Sequence, residues 1–414
     1  MSLPSGLTPD QHRFLRTQLA LIPAYVWLVD MWRLFIRQLP LPSDATHAHL
    51  VRDFLHFYVQ GVIAREHAGH ALYDINEMAA VAERVLPGIP KHVFPPVYGP
   101  HVALLFQPLA SLSYLHALYV WLAITCVGTL VCLFLVWRHC PGSTPQRAWV
   151  LGVLAIGVPG LHFTLSFAQA SVIGVAALTW LWLALRSGRP FLAGVAVGLL
   201  AYKPQLGILP AMVFLWRREW WVVFGAIVSV GVQLVVAAAF WGVAIFRDYV
   251  EALQQLPAVL DAMEPDVHLA YSVRAVASEI GLSSSAAWLA SGVLSAAVVV
   301  WVCWTWRASV PVERRYAGLV LGTLAINPHL YGYDLLLAAP AMLVAALHAW
   351  SAWDRPLLVA LGCLYVAPVI SGVTEGPPWF TTASLFVCTG LILGHFVDGL
   401  SDPVSQVFIK ADDL

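Results

Sequence analysis

The stretch LYVWLAITCVGTLVCLFLVW, residues 118–137, decides the fold class. It holds no charged residue, and Arg138 and His139 close it. A helix of about 20 apolar residues crosses the hydrocarbon core of a bilayer. Working outward from this stretch, apolar runs recur at 17–38, 98–138, 147–165, 169–186, 190–216, 219–242, 286–306, 314–330, 332–349, 356–371 and 379–397. Lipid offers no partner for backbone N–H and C=O groups, so only helices and closed barrels span it, and these runs are too continuous for barrel strands. The sequence therefore predicts an all-α, polytopic membrane protein with about 11–13 transmembrane segments.

Composition agrees. Hydrophobic residues make up 60% and charged residues 11% of the chain, against about 25% charged in soluble domains. The net charge is −1 and no basic block exists, which argues against a nucleic-acid partner. Cysteines stand at 126, 132, 140, 303, 363 and 388, in or beside apolar runs and without a CxxC pair. They read as apolar filler, not as a disulfide framework or zinc site. The first 18 residues are mixed polar and charged with no compact signal-peptide core, so the first apolar run is expected to stay as an uncleaved anchor.

Arginines set the orientation, because short positive loops stay cytoplasmic. Arg138 with Arg147, Arg186 with Arg189, Arg217 with Arg218, Arg307 with Arg314 and Arg315, and Arg355 mark the inner side. The helices between them alternate consistently if 190–216 forms two segments broken at Lys203-Pro204. One membrane domain results: a first transmembrane helix at 17–38, an outer loop at 39–97, the remaining helices over 98–397 and a cytoplasmic tail at 398–414. Parity objects to two full crossings within 98–138, and a re-entrant 98–112 would remove the conflict. The outer loop is too long for a simple turn. Leu50, Phe54, Phe57, Tyr58 and Val62 are spaced for an amphipathic helix lying at the interface, with a second helix at about 75–86.

Ionisable residues in or near membrane segments are expensive and invite a functional reading. Asp53 stands at the apolar-to-polar edge of the outer loop, where a carboxylate can take a proton from a hydroxyl. The competing reading is a surface charge at a helix start. Lys203 lies between two apolar halves, where an ammonium can neutralise a phosphate or simply snorkel to headgroups. Gln169 heads a helix on the same side, and Asn327-Pro328-His329 ends one there, followed by Tyr331, Tyr333 and Asp334. Each signal is weak alone, and their agreement on one face is the stronger observation. Glu66, His67, His70, Asp74 and His92 enrich the loop, but no third ligand joins His67 and His70 at a clear spacing, so no metal site is expected.

Four passages resemble the polytopic glycosyltransferases of the GT-C superfamily, and glycosyltransferase family 87 in particular. They are Asp53-Phe54-x-x-Phe57-Tyr58; Phe94-Pro95-Pro96-x-Tyr98 leading to Gln107-Pro108-Leu109; Ala168-Gln169 with Gly194-x-x-x-Gly198-x-x-x-Tyr202-Lys203-Pro204-Gln205; and Asn327-Pro328-His329. The chain departs from the family in one place, with Ala168-Gln169 where Gly-Gln is usual. The resemblance implies a polyprenyl-phosphate sugar as donor and a lipid or glycan acceptor, with chemistry on the extracytoplasmic side of a bacterial inner membrane. It implies that Asp53 is the catalytic base and that His329 assists. Lys203, Gln169, Gln205 and Asn327 fall in the matching motifs and join Tyr58 and Tyr98 as groups expected to bind donor phosphate or substrate. Tyr58, Tyr98 and Trp379 are placed to stack on sugar. No cofactor is expected, and one base with a displaced phosphate suits an inverting transfer of a hexose such as mannose. A transporter or flippase of a lipid-linked sugar is the runner-up. Transporters often carry internal repeats and midplane charges, whereas this chain shows no repeat and gathers its polar candidates at one face.

Overall fold

The structure is a computed structural model. It describes residues 52–87, 95, 97–141, 143–263, 270–307, 309–352, 354–373 and 379–398, together with the helical residues Val29, Trp32, Arg33 and Ile36. The rest of the expected first helix, the ends of the outer loop and the tail lie outside the described residues. Residues 1–50 and 51–414 form separate compact units, and the second holds every element and site described below.

The described chain is helical, and its order follows the apolar runs. After α1 (Arg52–Arg65) and α2 (Ile75–Val85) come α3 (Pro100–Phe106), α4 (Tyr114–His139), α5 (Ala148–Gly157), α6 (Pro159–Phe167) and α7 (Ser171–Arg186). Then come α8 (Pro190–Leu199), α9 (Ile208–Trp216), α10 (Trp220–Trp241), α11 (Ile245–Met263) and α12 (Val273–Glu279). The last five are α13 (Ser284–Thr305), α14 (Val312–Ala325), α15 (Ala338–Ala352), α16 (Arg355–Val373) and α17 (Trp379–Asp398). Pro100, Pro159 and Pro190 sit in the first turns of α3, α6 and α8, where the missing N–H costs nothing. Asp74 caps α2 by accepting from the N–H groups of Asn76 and Glu77.

Among the described residues, four helices are long and apolar enough to cross a membrane: α4, α10, α13 and the continuous stretch Gly332–Trp350. Shorter apolar helices cover Ser171–Arg186, Pro190–Tyr202, Pro204–Trp216, Arg355–Pro368 and Trp379–Gly394. Ile227, Val235, Leu289 and Val300 leave the outer faces of α10 and α13 open to the surroundings. Such apolar walls are stable against lipid and not against water. Within 98–138, α3 has seven residues, about 10 Å of rise, so α4 is the one helix there that is long enough to cross.

The outer loop folds differently from its sequence expectation. α2 forms at the predicted place, but α1 is not an amphipathic helix lying at the interface. Residues 54–61 are all buried, His56 and Gln60 included, so α1 is a core helix. Its aromatic residues explain the difference, because they pack in several directions at once. Phe57 stacks on Phe106 at 4.7 Å and meets Tyr98 at 5.0 Å, while Phe54 faces Tyr114 at 5.6 Å.

Small residues bring helices together where the sequence shows Gly194-x-x-x-Gly198. A Cβ on Gly194 would lie 1.9 Å from the Val222 carbonyl oxygen, and one on Gly225 would lie 2.1 Å from that of Phe191. α8 and α10 thus touch backbone to backbone, the packing that lipid-embedded helices favour in place of hydrophobic expulsion. This contact fixes α8, and α8 leads directly into the turn that carries Lys203.

Candidate active site

Three turns and one helix start build the site. α1 supplies Asp53 in its first turn. The α6–α7 turn supplies Gln169, the 3-10 turns Leu200–Tyr202 and Pro204–Leu206 flank Lys203, and the 3-10 stretch Gly332–Leu337 before α15 supplies Tyr333 and Asp334. Pro204 forces the break at Lys203, whose backbone leaves the helical region at φ −132 and ψ 85.

The α6–α7 turn closes through Ala168 at φ 49 and ψ 45, a left-handed conformation that glycine adopts without strain. Alanine there costs about 1–2 kcal/mol. The departure from Gly-Gln therefore changes the residue and keeps a glycine-like backbone. The turn is held from outside by Trp121, whose Nε1 donates to the Ala168 carbonyl at 3.1 Å.

Gln169 Nε2 donates to Asp53 Oδ2 at 2.7 Å, and its own Oε1 accepts from the Ala170 N–H at 3.3 Å. The second bond fixes which way the amide points, so the first presents a donor to the carboxylate. Tyr98 is buried beside them and hydrogen-bonds Gln169. Burial raises its hydroxyl well above the usual tyrosine range, the Asp53 and Asp334 charges push it further, and the Gln169 bond opposes them. Tyr98 therefore stays protonated at neutral pH.

Across the cluster, Lys203 Nζ bonds Asp334 Oδ1 at 2.7 Å, with both side chains almost wholly buried. The ammonium also lies 4.7 Å from the centre of the Tyr333 ring. Lys203 does not snorkel to headgroups. Gly160 lets α6 approach this stretch, since a Cβ there would lie 2.1 Å from the Leu336 nitrogen. Thr164 Oγ1 reaches the Tyr333 carbonyl at 3.1 Å.

The other sequence-selected residues have surroundings of their own. Tyr58 donates its hydroxyl to the Leu112 carbonyl at 2.6 Å and packs edge-on to Tyr114 at 5.4 Å, so its ring is part of the protein core. Trp379 is exposed. Gln205 is half-buried in the turn after Lys203. Asn327 is buried, accepts from the His329 N–H at 3.0 Å, and leaves Nδ2 without a partner among the described residues. His329 belongs to a second group with Arg274 and Trp288. The polar residues of the outer loop have structural partners: Glu66 pairs with Arg84, His70 with Glu77, and His67 stacks on Phe240. His92 lies outside the described residues. Among the described residues no three His, Cys, Asp or Glu side chains group as metal ligands.

Sequence reasoning gave no role to Asp334 or Arg274. Asp334 carried a legible signal, a carboxylate at the head of an apolar run. Arg274 carried none, because only the fold brings residue 274 to residue 329.

His56 makes a testable addition beneath the site. Gln60 Nε2 donates to its Nε2 at 2.8 Å, and burial drives the imidazole down to about 3. The folded state thus binds this proton later than the unfolded chain does. The stability this contributes is complete above about pH 6.5 and is lost as pH falls towards 3, at about 1.4 kcal/mol per pH unit. Thermal melts in detergent at pH 7, 5 and 4 are expected to show a steeper acid loss for the wild type than for His56→Gln. Parallel curves would overturn this.

Compared with known proteins, the chain matches the family model described as glycosyltransferase family 87 over residues 97–328, more than half its length. No curated protein and no solved structure matches. The matched span includes Tyr98, Gln169, Lys203, Gln205 and Asn327. Asp53 precedes it, and His329 and Asp334 follow it.

Proposed function

Because the chain belongs to glycosyltransferase family 87 and is a membrane glycosyltransferase, we propose that it moves a hexose such as mannose from a polyprenyl-phosphate donor to a lipid or glycan acceptor. The reaction takes place on the extracytoplasmic side of a bacterial inner membrane and inverts the anomeric centre. One observation carries the reading: a carboxylate, Asp53, oriented by the Gln169 amide beside a buried, protonated tyrosine.

The acceptor hydroxyl attacks the anomeric carbon as Asp53 takes its proton. The bond from that carbon to the phosphate oxygen breaks, and its electron pair leaves with the polyprenyl phosphate. Gln169 keeps the carboxylate aimed during the transfer. The Asn327 Nδ2 donor and the Lys203 ammonium offer preorganised positive ends to the charge growing on the phosphate, and such groups act strongly where water is excluded. Lys203 works there as half of an ion pair, so its contribution is a local dipole and not a full free charge.

The direct test is transfer in proteoliposomes containing the purified protein. Radiolabelled polyprenyl-phosphate mannose and a membrane lipid extract are expected to yield a new labelled lipid. If no label moves from mannose or from other polyprenyl-phosphate hexoses, the donor class is wrong.

A further inference from the structure

Arg274 is fixed in place by backbone contacts. Residues 270 and 331 form an antiparallel bridge, and the Tyr271 N–H donates to the Leu330 carbonyl at 2.6 Å. Thr382 Oγ1 donates to the Tyr271 carbonyl at 2.9 Å, and Ser272 caps α12 by accepting from the Ala275 N–H at 3.2 Å. The start of α12 is thereby tied to the turn that carries His329.

From this anchorage the Arg274 guanidinium lies 5.0 Å from the centre of the Trp288 ring. Its Nη2 stands 3.3 Å from His329 Nδ1. The Trp288 ring meets the His329 ring at 6.2 Å, inclined by 66°. The imidazole is therefore held by a cation on one ring nitrogen and an aromatic wall beside it.

A guanidinium has five N–H donors, no acceptor, and stays charged in proteins. In this bond Nδ1 must be the acceptor and carries no hydrogen. An imidazolium carries hydrogen on both nitrogens and cannot make the bond. The hydrogen of the neutral ring then sits on Nε2, because the bond at one nitrogen selects the tautomer at the other. We infer that Arg274 is a positioning residue that holds His329 as the neutral Nε2–H tautomer, so that His329 serves the transfer as a hydrogen-bond donor and not as a proton acceptor. This rests on the proposed transfer reaction for its catalytic part, and on geometry alone for the tautomer. It leaves Asp53 as the base and gives His329 an N–H suited to a phosphate oxygen gaining charge.

The test is ¹⁵N spectroscopy of ring-labelled histidine in the purified, detergent-solubilised protein. His329→Gln identifies its signal among the 15 histidines. The expected wild-type spectrum shows a pyridine-like Nδ1 and a pyrrole-like Nε2 for His329. A pyrrole-like Nδ1 on the wild-type His329 signal overturns the inference. Arg274→Met removes the donor and is expected to mix the tautomers and lower kcat by the fraction of His329 that loses its Nε2 hydrogen, about 2-fold. Arg274→Lys, another donor-only side chain, is expected to restore the tautomer and part of the rate. An Arg274→Met protein with the wild-type tautomer and kcat would also overturn it. The expected wild-type tautomer in a protein that transfers no sugar supports the tautomer lock and sinks the transfer reading instead.

Discussion

Asp53→Asn is expected to lower sugar transfer about 10²–10⁴-fold, the range a positioned general base contributes, while leaving the fold intact. Asparagine keeps the size of aspartate and an sp² oxygen that can accept from Gln169 Nε2, so the 2.7 Å bond survives in kind. What it loses is the ability to take a proton. Alanine would test less cleanly, because it strands the Gln169 donor and costs about 1–3 kcal/mol for the unsatisfied group. The measurement is initial transfer rate in proteoliposomes, with thermal unfolding in detergent run on the same preparations. Equal rates for the wild type and the Asp53→Asn protein would remove Asp53 as the base without touching the enzyme class. A lost rate together with a lowered melting temperature would instead mark Asp53 as structural.

The sequence made some of this legible and concealed the rest, for reasons that differ by residue. Helix existence was legible because apolar length is a one-dimensional property: the 118–137 run became the core of α4. Breaks were legible at Lys203-Pro204, because proline acts on its immediate neighbour. Burial of α1 was not. Its pattern of Phe54, Phe57 and Tyr58 suits an interface helix, and only partners distant in the chain, Phe106 and Tyr114, show that it lies inside the protein. In the site, Gln169 and Asp53 were each visible as polar residues at the edges of apolar runs. Their bond across 116 positions was not. Lys203 was visible as a costly charge, yet its meaning changed once Asp334 stood beside it. A lone buried ammonium waits for an anion, whereas a paired one already has its counter-charge.

That pairing sets the second large expectation. Lys203→Met is expected to destabilise the protein by about 3–5 kcal/mol, and Asp334→Leu by a similar amount, because each leaves one charge buried without its partner. The double variant Lys203→Met with Asp334→Leu is expected to melt close to the wild type, since replacing both members of a buried pair by apolar residues of similar size is often neutral. A double-mutant cycle of melting temperatures in detergent measures the coupling, and additive losses would mean that the 2.7 Å contact contributes little. The same three proteins separate two roles for Lys203. If it only holds the 200–206 turns against the Gly332–Leu337 stretch, the double variant recovers transfer along with stability. If its ammonium steadies the departing phosphate, the double variant recovers stability and stays inactive. The proposed mechanism requires the second outcome, because in it the cation must still be present when charge develops on the leaving oxygen.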